Sequence, residues 1–177
     1  MNFLGDFDQM ICCVTGHRPE GFPFSSEDRE SHLQYKKRLY EAVQDLLEQG
    51  YRHFITGMAE GVDTDFAIAV LFYKKQYKNV RLEAALPYPY QQRYAASKTV
   101  KEQILSSCDY VTVVSDKYFN GCMQKRNCYM VDRANFVLAV WNGEKKGGTW
   151  NTIAYARQKH KPIQYIMLDE PEQLKLF

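Results

Sequence analysis

The chain has 177 residues, 45% of them hydrophobic and 25% charged, with a formal net charge of +2 at pH 7. These values are those of an ordinary soluble globular protein with one substantial core, and one domain is expected over residues 1–177. Charge of this size, with lysine and arginine spread along the chain rather than in a block, makes nucleic acid an unexpected partner.

Read in chain order, the opening "MNFLGDFDQM" is acidic and lacks the basic stretch and apolar run of a signal peptide. No later apolar stretch approaches the roughly 18 residues that span a bilayer, so a cytoplasmic protein without membrane contact is expected. "ICCVTG" is short and apolar and predicts a buried first strand. "SHLQYKKRLYEAVQDLLEQG" predicts a helix with Leu39, Val43, Leu46 and Leu47 on one face, closing on Gly50. "RHFITG" reads as a second strand, after which Asp63 or Thr64 is expected to cap a helix carrying Phe66, Val70 and Tyr73 inward.

"VRLEAALPY" reads as a third strand stopped by Pro87 and Pro89, and "YQQRYAASKTVKEQILSSC" as a helix with Val100, Ile104 and Leu105 inward. "YVTVVS" is a strand, and the polar segment from Asp116 to Arg133 is part loop and part short helix. "ANFVLAVWNG" is the fifth strand, "GEKKGG" a loop, "TWNTIAYARQKH" a helix and "PIQYIML" a last strand. Strands alternating with amphipathic helices predict a doubly wound α/β domain in three layers, with a mostly parallel sheet. In such a sheet ligands bind beyond the carboxyl ends of the strands.

Three stretches fall at those ends: "TGHRP", "TGMAEGVD" and "NGEKKGGTWNT". Each sets glycine beside a small or hydroxylated residue near a helix start, where backbone N–H groups and the helix dipole favour an anion. None is a GxGxxG fingerprint or a P-loop, and glycine at any one such turn also has a purely structural explanation. Together they nominate Gly57, Gly61, Gly147, Gly148 and Thr149 to hold phosphate, with Thr15, Gly16 and Thr56 beside them.

Arg18 is a candidate for a bidentate grip on phosphate or carboxylate, and His17 for donating or relaying a proton. The structural alternative pairs Arg18 with a carboxylate and satisfies His17 with backbone. Glu60 and Asp63 bracket Gly61 and could bind ribose hydroxyls or polarise water, although helix capping is the commoner role for Asp63. Arg126, Asn127 and Asp132 form a polar cluster before the fifth strand, and Tyr88, Tyr90, Tyr94 and Tyr129 are candidates to flank a planar base. Five cysteines without a CxxC pair suggest neither a disulfide framework nor a metal site.

"VTGHRP", "FITGMAEGVDTDFAIAV", "RNCYMVDRANFVLAVWNG" and "GGTWNTIAYA", in that order, resemble the YpsA-like family of the SLOG superfamily, from about Ile11 to Leu168. That superfamily includes the Lonely Guy phosphoribohydrolases and DNA-processing protein A. The resemblance implies a Rossmann-like fold and a glycine-bearing site for nucleotide-like ligands. "GMAEGVD" is similar to the "GLARGID"-type loop of the DNA-processing proteins, and "MQKRN" to the "MHERK" stretch of the phosphoribohydrolases, carrying Met123 and Arg126 across.

The departures bear on activity. The phosphoribohydrolases carry a catalytic glutamate in a "PGGxGTxEE" loop; here there is an extra residue, Asn151 stands for a glycine, and Ala154 falls where the first glutamate would be. The expected function is therefore binding or sensing of a nucleotide-like ligand such as ADP-ribose or NAD. The alternatives are N-glycosidic cleavage, with Glu60, Asp63, Asp132 or His17 recruited as acid or base, and a protein-interaction module with a vestigial pocket. The resemblance also implies self-association as a homodimer, since relatives commonly associate.

Overall fold

The computed structural model describes residues 10–89 and 98–168. Among these, β1 (Ile11–Gly16), β2 (His53–Thr56), β3 (Arg81–Leu86), β4 (Tyr110–Val113), β5 (Phe136–Trp141) and β6 (Ile163–Met167) alternate with α1 (Arg29–Glu48), α2 (Val62–Lys74), α3 (Lys98–Ser107), α4 (Cys122–Arg133) and α5 (Gly147–Gln158). The strands form one sheet in the order β4-β3-β2-β1-β5-β6, and every neighbouring pair is parallel. The expected doubly wound α/β architecture is the one observed.

The strand residues divide between two faces because successive side chains point to opposite sides. Cys12 and Val14 pack with Leu39, Val43, Phe66 and Val70 from α1 and α2, whereas Cys13, Ile55 and Val137 pack with Met130, Val131 and Ala156 from α4 and α5. That division makes three layers, with the central strands buried on both sides. Each fully buried Leu, Val or Phe side chain in these layers contributes about 1.5–3 kcal/mol relative to exposure.

Local details refine the expected elements. Asp28 begins α1, its carboxylate accepting from the Ser31 N–H at 3.1 Å and the Ser31 hydroxyl at 2.7 Å. α2 is capped by Gly61, with no side-chain cap bond, so neither Asp63 nor Thr64 has the expected capping role. α5 starts at Gly147, so the last two glycines of the "GEKKGG" stretch, Gly147 and Gly148, belong to its first turn. On α3 the inward face carries Lys101 and Ile104, while Val100 is 43% exposed rather than inward. The rest of the helix expected over 90–108, with Tyr90 and Tyr94, lies outside the described residues.

From β1 the chain winds outward to β4, then returns through α4 to lay β5 against the other side of β1. The order reverses there. The carboxyl ends of β1 and β5, where Gly16 pairs with Val140, therefore bound a topological switch point.

Candidate functional site

A cavity of about 280 Å³ opens at this switch point. β1 and its following loop contribute Thr15, Gly16, His17 and Arg18; the head of α2 contributes Asp63; α4 contributes Met123, Arg126 and Asn127; the first turn of α5 contributes Gly148 and Thr149. Four separate stretches of chain meet in one place. Thr56, Gly57, Glu60, Gly61, Gly147 and Asp132 do not line it.

Two glycines of the "GMAEGVD" loop stand behind the cavity wall and are explained by close packing. A Cβ on Gly57 would lie 2.5 Å from Arg126 Nη1 and 2.8 Å from Asp63 Oδ2. Gly61 has φ +89°, and a Cβ there would lie 2.6 Å from the His17 carbonyl oxygen. Thr56 serves the same loop: its buried hydroxyl donates to the Asp63 carbonyl at 2.8 Å and accepts from the Met58 N–H at 3.2 Å. Gly148 is different, because a Cβ on it would meet nothing within 4 Å. Packing gives no reason for glycine there.

Asp63 and Arg126 supply the buried charge. Arg126, only 4% exposed, donates through Nη1 to the carbonyl oxygens of Gly57 and Ala85 and through Nε to Asn127 Oδ1 at 2.8 Å. Asp63 Oδ2 accepts from the Ala59 N–H at 3.2 Å. Burial pushes the Asp63 carboxyl above its ordinary range, against the opposing pull of Arg126, the Ala59 N–H, Arg18 and Lys101. Arg18, by contrast, is exposed at the rim.

Lys101 is a member of this charge cluster that sequence reasoning missed. It is 6% exposed; burial draws its ammonium pKa down, while Glu60 and Asp63 raise it and Arg18 and Arg126 lower it further. The available signal was its spacing of three from Ile104, which puts a lysine on the helix's inward face.

His17 ties two loops together at the switch point. Its Nε2 accepts the Asn142 N–H at 3.3 Å, and Asn142 Nδ2 donates to the Gly21 carbonyl at 3.0 Å. An accepting Nε2 places the ring proton on Nδ1, and burial lowers the imidazole pKa, both of which favour the neutral ring. Asp132 lies on the outer surface, where it accepts from Tyr155 at 3.0 Å and pairs with Lys159 at 3.6 Å.

A second buried polar group anchors the helix that carries Arg126. Glu83 on β3 accepts from Tyr129 of α4 at 2.7 Å and from Thr112 at 2.8 Å, and its other oxygen lies 2.7 Å from His53 Nε2. Burial alone would raise the Glu83 pKa, but the hydrogen bonds from His53, Tyr129 and Thr112 outweigh it and hold the value at about 2. Tyr129 therefore faces the sheet and is spent on this anchor.

With this geometry in hand, the comparison with known sequences is specific. The family model YpsA, described as the YspA SLOG family, matches residues 12–170. The chain belongs to that SLOG family. It is similar to the SPbeta prophage-derived protein YoqJ of Bacillus subtilis (strain 168), with 32% identity over 144 residues covering 72% of this chain and 83% of the relative. A UPF0398 protein of Shouchella clausii (strain KSM-K16) is 27% identical over 173 residues, covering 90% of this chain and 88% of the relative. One from Bacillus cereus (strain B4264) is 23% identical over 159 residues, covering 88% and 86%. The SLOG match thus includes every stretch that lines the cavity.

Among the described residues no helix is long and apolar enough to cross a membrane, and no group of three or more His, Cys, Asp or Glu side chains is placed to hold a metal ion.

Proposed function

We propose that this SLOG protein binds or senses a nucleotide-like ligand of the ADP-ribose or NAD kind, with its phosphate- and ribose-bearing part in the switch-point cavity. The observation that carries the reading is the convergence there of Arg18, buried Arg126 and the first turn of α5, which has no side-chain cap. First-turn N–H groups lack intrahelical acceptors, so they and two guanidinium groups suit a bound anion. Asn127 and Thr149 supply neutral hydrogen-bonding groups of the kind that hold ribose hydroxyls. Gly148 leaves its side-chain position open for close approach of a ligand.

The placement of the carboxylates supports binding over hydrolysis. Asp63 lines the cavity but its Oδ2 is engaged by the Ala59 N–H, Asp132 is engaged with Tyr155 and Lys159, and Glu60 does not line the cavity. Five free cysteines, three of them buried, support a reducing cytoplasm as the working compartment.

Thermal unfolding and product analysis with a panel of nucleotides test the reading. Stabilisation without turnover is expected. Turnover assigns the hydrolytic alternative, and no shift from any nucleotide removes the nucleotide reading altogether.

A further inference from the structure

The cavity, at about 280 Å³, lies at the small end of ligand pockets, which run from roughly 300 to 1,000 Å³. A ligand of nucleotide size has to extend beyond it. Among the described residues, an aromatic pair following β3 and β4 is available for the extension. Tyr88, two residues past the end of β3, meets Tyr118 from the loop entering α4 edge to face, with ring centroids 5.5 Å apart and planes at 83°.

Tyr88 is only 9% exposed and braces the contact, whereas Tyr118 is 65% exposed and turns most of its ring to solvent. Phe119 beside it is 41% exposed, with the Lys125 ammonium 5.9 Å from its ring centroid. The Phe119 carbonyl accepts the Cys122 N–H at 3.1 Å, and Met123, five residues after Tyr118 in the chain, lines the cavity. β3 stands two strand spacings from β1, roughly 10 Å, a separation a nucleotide can span.

Resting on the nucleotide reading above, we infer that Tyr118, braced by Tyr88, is the platform on which the ligand's planar base stacks while its phosphate end occupies the cavity. The ligand class is then a nucleoside phosphate with an unencumbered heteroaromatic base. Stacking on an aromatic face is tolerant of base identity, so purines differ little from one another in affinity.

Calorimetric titration of wild type, Tyr118→Ala and Tyr118→Phe with AMP and with ribose 5-phosphate tests this. Wild type and Tyr118→Phe are expected to bind AMP about tenfold more tightly than ribose 5-phosphate, from the usual strength of base stacking. Tyr118→Ala is expected to lose that preference and keep its affinity for ribose 5-phosphate. Equal wild-type affinities for the two probes, or an AMP preference that survives in Tyr118→Ala, overturns the platform and leaves the cavity reading standing. A Tyr118→Ala variant that loses ribose 5-phosphate as well also overturns it. Failure of wild type to bind either probe overturns the platform and leaves the nucleotide reading to the nucleotide panel.

Discussion

Arg126 donates from α4 to the carbonyl of Gly57, and the absence of a Cβ on Gly57 is what admits the guanidinium. The wall of the cavity is built on that contact, which joins the strand-end loop after β2 to the helix before β5.

Gly57→Ala forces a methyl group to within 2.5 Å of Arg126 Nη1. Overpacking of this kind costs about 1–3 kcal/mol. Urea titration is expected to show a lowered midpoint with an unchanged slope, and a midpoint equal to wild type would mean that Arg126 has another resting place.

The Glu83 network makes a signed prediction with pH. Its folded pKa of about 2 lies below the ordinary 4.5, so it contributes stability that is present above about pH 4.5 and lost as pH falls through about 2. The contribution is on the order of 3 kcal/mol at most. Glu83→Gln is expected to be less stable than wild type at pH 7 and to have a flatter acid limb, measured as the denaturation midpoint from pH 6 downward. Parallel acid limbs would assign the lost stability to other carboxylates.

Arg18 is exposed at the cavity rim, so Arg18→Ala is expected to change stability by no more than about 0.5 kcal/mol. Ligand-induced stabilisation by nucleotides is expected to fall sharply, since hydrogen bonds to a charged group contribute about 1.5–3 kcal/mol. A thermal shift preserved in this variant would place the anion elsewhere.

The glycines separate packing from binding. Gly61→Ala puts a side chain at φ +89° against the His17 carbonyl, and is expected to lower stability. Gly148→Ala adds a methyl group where no protein atom lies within 4 Å and exchanges glycine for a better helix former. It is expected to keep or raise the melting temperature while weakening nucleotide binding. Destabilisation by Gly148→Ala would show that this glycine serves the fold.

Much of the architecture was legible because hydrophobic periodicity is local. The apolar runs around Val14, Ile55, Ala84 and Leu138 read as strands, and the spacing of Leu39, Val43 and Leu46 reads as a helix face. Helix starts were less legible. Gly61 rather than Asp63 opens α2, because the Asp63 side chain is drawn back to the Ala59 N–H beside Arg126. The Ala59 N–H is four positions away, but the Arg126 charge that acts on the same carboxylate is 63 positions away, and no sequence window carries it.

The chain's own pattern of residues determined the α/β class, the parallel sheet and the set of glycine-bearing strand ends, since these follow from side-chain periodicity and turn chemistry within short windows. Only the tertiary structure decided which ends meet. The return of β5 to the side of β1 brings "TGHRP" and the head of α5 to one cavity and carries Arg126 across to Gly57. The same folding turns Gly57 and Gly61 to the back of the wall, sends Asp132 to the outer surface and buries Lys101 beside Asp63. These are long-range consequences of strand order and desolvation, which a sequence window does not contain.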